Sequence, residues 1–150
     1  MDVRIRKAQP ADVATIVEFN RLMAEETEHQ SLEGAVLRAG VEALLRDALK
    51  GLYFVAELEG TIVGQLMITY EWSDWRNGNF WWIQSVYVRQ EHRGKGVFKA
   101  LFDHVAGLAK QQSDVCGLRL YVEENNTRAK KTYERLGMKK THYELYETVF

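Results

Sequence analysis

The chain has 150 residues, 46% of them hydrophobic, with 20 Lys+Arg against 21 Asp+Glu for a net charge of −1. That length buries one proper core and suits a single domain over residues 1–150 rather than two. No apolar run is long enough for a membrane span, the opening MDVRIRKAQP lacks the apolar stretch of a signal peptide, and a lone Cys116 excludes an internal disulfide. A cytoplasmic protein with no membrane partner and no metal site is therefore expected, with Cys116 as a small buried side chain.

In chain order, Val3-Arg4-Ile5-Arg6 alternates as a strand, and Pro10-Ala11-Asp12 starts a helix, with proline in the first turn and an acidic residue on the positive end of the dipole. Val13, Ile16, Val17, Asn20, Leu22 and Met23 keep helical spacing as far as Glu26. A second helix covers Leu32 to Leu49 on the stripe Val36, Leu37, Val41, Leu44, Leu45 and Leu49. At the junction Glu25, Glu26, Glu28 and Glu33 surround His29, either as a solvated face or as groups that draw in a cation. Leu52 to Leu58 and Thr61 to Tyr70 form a hairpin about Glu59-Gly60, and Asn77-Gly78 leads to a third antiparallel strand, Phe80 to Val88. Trp72, Trp75, Trp81 and Trp82 crowd this turn, where an amine pocket, core packing and a subunit interface all account for them.

The third strand runs through a short basic loop, Arg93-Gly94-Lys95-Gly96, straight into a helix that carries Val97, Phe98, Leu101, Phe102, Val105 and Leu108 on one stripe to Gln111. A glycine loop at a helix N-terminus is an anion cradle, because the N–H groups of the first turn lack helical acceptors and the dipole is positive there. The Walker spacing is absent, and Lys99 stands where a dinucleotide fingerprint needs a small residue. Leu118 to Val122 reads as a short strand, Asn126 caps a helix that Gly137 ends, and Met138 to Val149 reads as a final strand. Residues 1–85 hold 8 basic and 13 acidic side chains, whereas residues 86–140 hold 12 and 6. Without a helix-turn-helix, a zinc finger or a stacking-aromatic RNA motif, nucleic acid is not the expected partner of this basic half.

Arg93-x-x-Gly96 after Val86-Tyr87-Val88 resembles the coenzyme-A loop of the GCN5-related N-acetyltransferase (GNAT) superfamily, with Phe98 in place of that family's Gly or Ala. Asn126, Ala129, Tyr133, Gly137 and Met138 match its Asn-x-x-Ala-x-x-x-Tyr-x-x-x-Gly-Phe motif with Met for Phe, and Arg6-x-Ala8-x-x-x-Asp12 matches its usual opening. The resemblance covers nearly the whole chain. It implies an α/β (α+β) GNAT fold, a mixed and mostly antiparallel central sheet of roughly six to seven strands with about four helices, in the order β-α-α-β-β-β-α-β-α-β.

The activity implied is transfer of an acetyl group from acetyl-CoA to a primary amine in a ternary complex, with a homodimer as the common assembly. By resemblance, Val86, Tyr87, Val88, Arg93, Gly94, Lys95, Gly96, Val97, Phe98 and Asn126 hold the cofactor, while the Tyr133 hydroxyl meets the thioester sulfur and a backbone N–H near Val86 polarises its carbonyl. The acceptor side falls to Glu25, Glu28, His29, Trp82 and Gln84, and their charge suits a small cationic amine such as a polyamine or a lysine-like compound. Gln84 stands where many relatives carry Glu, and an amide cannot take a proton at neutral pH. The base is then open among the Glu25, Glu26, Glu28 and His29 junction, Glu71 or Asp74, and ordered water. A non-catalytic acyl-CoA-binding module is the alternative from another class.

Overall fold

Five strands, β1 (Arg4–Lys7), β2 (Leu52–Leu58), β3 (Thr61–Ser73), β4 (Gly78–Val88) and β5 (Val115–Arg119), form one sheet in that spatial order. Neighbours from β1 to β4 are antiparallel, and β5 runs parallel to β4. The computed structural model describes residues 2–150 as two compact units, one ending at Leu120 and the other running from Tyr121 to Phe150. The sheet belongs to the first unit together with helices α1 (Val13–Glu28), α2 (Gly34–Arg46) and α3 (Val97–Gln111), and the second unit contains α4 (Thr127–Arg135). Among the described residues no helix is long and apolar enough to cross a membrane.

Strand alternation sorts the core into two layers. Tyr53 and Met67 turn toward α1 and α2 and pack with Val13, Ile16, Val41 and Leu44. Phe54, Leu66 and Ile68 turn the other way, where Phe54 meets His104 of α3 edge-on and a Cβ on Gly64 would come within 3.0 Å of Val97 Cγ1. Glycine at position 64 lets the first turn of α3 sit directly on the sheet. The β2–β3 connection places Glu59 and Gly60 at φ +51° and +80°, the left-handed pair that a tight hairpin turn requires.

Helix α1 is anchored at its start by a partly buried ion network. Arg6 of β1 donates from Nη1 and Nη2 to the two oxygens of Asp12 at 2.8 and 3.1 Å, and from Nε to Glu57 of β2 at 2.7 Å. Asp12 also accepts the Gln9 N–H at 2.7 Å. Arg6 and then Gln9 hold the Asp12 carboxyl below the usual carboxylate range against the opposing effect of burial. The Arg6-x-Ala8-x-x-x-Asp12 spacing is thus a clamp between the sheet edge and the start of α1.

Several expectations are corrected. The sheet has five strands among the described residues, and Met138 to Val149 contains none: Tyr143, Leu145, Tyr146 and Val149 are exposed. Alternation supplies β-propensity, but a strand exists only where a neighbour offers a ladder. The fifth strand lies at Val115–Arg119 rather than Leu118 to Val122, because its register with β4 runs from Asn79↔Val115 to Trp82↔Arg119. Cys116 is exposed, not buried. Helix α2 starts at Gly34, where the Glu33 carboxylate caps the Ala35 and Val36 N–H groups, and it stops at Arg46, leaving Val36 and Leu49 in solvent.

Replacing Asp12 by Ala leaves the Arg6 guanidinium half-partnered and should cost about 3 kcal/mol at pH 7, measured by urea unfolding. The folded pKa lies below the unfolded value of about 3.9, so the wild-type advantage is complete above that pH and lost as pH falls through the folded pKa. An advantage that persisted unchanged at pH 2 would assign the stability to something other than this ion pair.

Candidate active site

The β4 strand leaves its neighbour part-way along its length. It pairs with β5 only from Asn79 to Trp82, and from Ile83 to Val88 the edge facing away from β3 has no strand partner among the described residues. The opposite edge is bulged. Gln65 faces Tyr87 and Met67 faces Gln84, so Ser85 and Val86 together oppose the single residue Leu66. Ser85 adopts φ +51°, the left-handed region, and its carbonyl accepts a bond from Gln65 Nε2 at 3.0 Å. This extra residue keeps Gln84 and Tyr87 on one face of the sheet, the face covered by α1, where Tyr87 lies 4.9 Å from the Phe19 ring.

After Val88 the chain makes one 3-10 turn, Gln90–His92, before the basic loop. Gly94 and Gly96 take φ +73° and +87°, and Gly96 is the N-cap of α3, whose ladder begins with the Ala100 N–H on the Gly96 carbonyl at 3.0 Å. N–H groups ahead of that bond have no helical carbonyl to meet. A Cβ at Gly96 would meet nothing within 4 Å, so glycine serves the backbone conformation and the space above it is open. Val97 is buried and the Phe98 ring lies 6.1 Å from Phe102, so the Phe at this position packs along α3 while its backbone stays in the first turn.

Arg93 has structural partners. Its Nε donates to the Val88 carbonyl at 2.8 Å, its Nη2 to Glu26 Oε2 at 2.7 Å, and its guanidinium carbon is 5.3 Å from the Tyr87 ring centre. The Tyr87 hydroxyl donates to the other Glu26 oxygen at 3.2 Å, and burial followed by the Glu26 charge holds this phenol above its ordinary pKa. Glu26 therefore ties the end of α1 to the start of the loop. Lys95 is exposed with no ion-pair partner among the described residues, which makes it the loop's available cation.

On the α1 side of β4, Trp82 stands opposite Thr69, and Gln84 Nε2 donates to Thr69 Oγ1 at 2.5 Å. Glu71 Oε1 accepts from Trp82 Nε1 at 3.1 Å and from Arg119 Nη1 at 2.8 Å, and the Arg119 guanidinium lies 3.7 Å over the Phe80 ring. The four tryptophans do not form one pocket. Adjacent strand residues face opposite ways, so Trp81 is buried 6.3 Å from Tyr70 while Trp82 lies on the other face, and Trp72 and Trp75 are exposed. At the end of α1, Glu25 pairs with Arg21 at 2.6 Å, whereas Glu28 and His29 are exposed and their side chains have no ion-pair partner among the described residues. His29 closes α1 at φ +52°.

In the second unit Asn126 caps α4, its Oδ1 accepting the Ala129 N–H at 3.2 Å, and Gly137 at φ +92° closes it with the Met138 N–H on the Tyr133 carbonyl. This explains the Asn, Ala, Gly and Met spacing of the motif by helix capping alone. Tyr133 enters the C-terminal cap through its backbone carbonyl, a role open to any residue, so capping does not account for a tyrosine there. Its phenol is half-buried, and burial holds it above its ordinary pKa. Gln65, Ser85 and Arg119 were not singled out from the sequence as binding residues; a lone Gln inside the apolar run Ile62 to Ile68 was the available signal for the first.

The chain is similar to known proteins over most of its length. The family model "Acetyltransferase (GNAT) family" matches residues 16–138. The crystal structure of a possible acetyltransferase from Clostridium difficile 630 superposes with a TM-score of 0.92 at 48% identity, covering 99% of this chain and 97% of that one. Thialysine N-epsilon-acetyltransferase of Bos taurus is 30% identical over 90% of this chain and 83% of its own length. Spermine/spermidine N(1)-acetyltransferase of Bacillus subtilis is 32% identical over 58% of this chain and 56% of its own length.

Gly96→Glu tests the loop as an anion site. The left-handed backbone makes any L side chain there cost about 1–2 kcal/mol of stability. The carboxylate faces the first-turn N–H groups, and affinity for coenzyme A by calorimetry should fall by more than about 100-fold. Unchanged affinity in the folded variant would remove the loop from binding.

Proposed function

Because the chain belongs to the GNAT acetyltransferase family, whose enzymes take their acetyl group from acetyl-CoA, it is an N-acetyltransferase, and we propose that its acceptor is the primary amine of a small cationic molecule of the polyamine or lysine class. The carrying observation is strand β4, open along one edge and bulged against β3 on the other, which leads through one 3-10 turn into the glycine loop and the N-terminus of α3. In this reading all 150 residues act as one acetyltransferase domain.

The residues present suit acetyl-CoA. The N–H groups of Gly94 to Phe98 and the Lys95 ammonium receive the phosphates and the free edge from Val86 to Val88 accompanies the pantetheine, while Asn126 keeps the pantetheine-binding role that the family resemblance gives it. Because Arg93 is committed to Val88 and Glu26, its contribution is to hold the loop rather than to reach for phosphate. When bound, acetyl-CoA supplies a thioester carbonyl open to attack by an amine. The Val86 N–H polarises that carbonyl.

Proton handling sets the rest. An alkyl ammonium of pKa about 10.4 is only about one part in a thousand neutral near pH 7.4, so the acceptor must lose a proton before it attacks. The Gln84 amide cannot accept it. Glu25, Glu26 and Glu71 already accept from arginines, which leaves Glu28, His29, Asp74 and water to receive the proton. At the leaving sulfur, a thiol of pKa about 8.5 facing a phenol of about 10 makes full transfer from Tyr133 uphill by about 2 kcal/mol, and burial of Tyr133 increases that gap. Tyr133 therefore acts by donating a hydrogen bond that strengthens as charge gathers on sulfur.

The cationic acceptor is supported by the names of the two relatives, which describe acetylation of thialysine and of spermine or spermidine, and by the acidic excess of residues 1–85. An amine panel with acetyl-CoA, read by thiol release, tests it. A diamine, a polyamine or a lysine-like compound should give the highest kcat/KM, and that value should fall as ionic strength rises. Neutral or anionic amines outperforming all of these, without salt dependence, would discard the reading, and no thiol release with any amine would favour a binding module.

Tyr133→Phe should leave acetyl-CoA affinity nearly intact and lower kcat by about 10²- to 10⁴-fold. The protonated phenol is the active form, so the wild-type advantage persists below its pKa and is lost as pH rises through it, above the ordinary value of about 10. Full kcat for Tyr133→Phe across the pH range would remove this residue from the mechanism.

A further inference from the structure

We infer that Gln65 is a positioning residue for acetyl transfer: its side-chain amide fixes the Ser85–Val86 peptide and thereby aims the Val86 N–H. This role rests on the reading of that N–H as the group that polarises the thioester carbonyl. Gln65 is 0% exposed, in the centre of β3, and its Nε2 donates to the Ser85 carbonyl at 3.0 Å. The Ser85 C=O and the Val86 N–H belong to one planar trans peptide and point in opposite directions. Holding the carbonyl from one side therefore sets the direction of the N–H on the other.

Two further observations separate this role from ordinary packing. Ser85 is the only non-glycine residue inside a described strand with a left-handed backbone, so the peptide is held in a conformation that β-structure alone would not select. Gln65 Oε1, meanwhile, is buried with no partner among the described residues, and a buried amide with one end unsatisfied is less stable than an apolar residue of the same shape. The amide cannot be turned round to relieve this, because Oε1 would then face the Ser85 carbonyl. What Gln supplies in this apolar run is a fixed donor on the Ser85 carbonyl, a group at the bulge, so one bond both satisfies that carbonyl and sets its direction. Asn20 and Tyr53 complete the polar patch, with Asn20 Nδ2 donating to the Ile16 carbonyl at 3.0 Å and to the Tyr53 hydroxyl at 3.4 Å.

The test uses Gln65→Met, of similar length but without a donor, and Gln65→Asn, one methylene too short to reach, so that one variant carries the test if the other does not fold. Infrared spectra of bound acetyl-CoA, isotope-labelled at the acetyl carbonyl, are recorded beside kcat and cofactor affinity. The wild-type carbonyl band should shift down on binding. In the variants the band should return toward its solution position and kcat should fall about 10- to 100-fold, while acetyl-CoA Kd stays within about threefold. A variant of lowered Tm that keeps both kcat and the shifted band would overturn the positioning role. No band shift in the wild-type protein would remove the Val86 N–H reading, and with it this role.

Discussion

The Gln65 bond to the Ser85 carbonyl stands at the point on which the candidate site depends, because β4 there gives up regular pairing on both edges. A strand that leaves its ladder must satisfy its backbone groups elsewhere or lose several kcal/mol. On the β3 side the bulge and the buried amide take over from the ladder. On the β5 side no strand among the described residues does, and an unpaired strand edge beside a glycine loop is the form of surface that accepts an extended chain of alternating donors and acceptors. The family's cofactor arm has that chemistry.

Charge is divided between holding the fold and meeting ligand. Arg6 is locked between Asp12 and Glu57, Arg93 between Val88 and Glu26, and Arg119 between Glu71 and the Phe80 face. Each links two elements, so the basic excess of residues 86–140 overstates what is free to meet an anion. Lys95 at the loop is an exception, together with the backbone N–H groups whose partial charge needs no side chain. A cradle built mainly from backbone tolerates Phe98 where relatives carry Gly or Ala, since the side chain packs along α3 toward Phe102.

Periodicity made most elements legible. The apolar spacing of Val97, Leu101 and Val105 gave α3, and Glu59-Gly60 gave the hairpin, because helical faces and tight turns are local properties of the chain. Pairing is not local. Met138 to Val149 has strand composition but no ladder, and β5 takes its bounds from the β4 register rather than from its own alternation. The tryptophans look like one cluster in sequence and are divided between two faces by a strand's period of two. Among the candidate site groups, the loop and Tyr133 were visible through motif spacing. Glu26 was read as one of several acidic neighbours, although it alone among them bonds both Tyr87 and Arg93.

The absence of a carboxylate at position 84 then acquires a physical reading. Gln84 spends its amide on Thr69, the nearby Glu71 is bonded to Trp82 and Arg119, and Glu26 is bonded to Tyr87 and Arg93. Carboxylates so engaged hold geometry and attract a cation, but taking a proton would break the bonds that position them. In the proposed reaction deprotonation then falls to exposed groups or to water, a path that works when the acceptor reaches solvent easily and a second charge keeps it nearby. A dicationic or zwitterionic amine meets that condition better than a buried protein terminus: acidic groups hold one end while the other loses its proton to water. Under the proposed reaction the missing base and the acidic approach are one feature, since a higher local concentration of the amine offsets weak base catalysis.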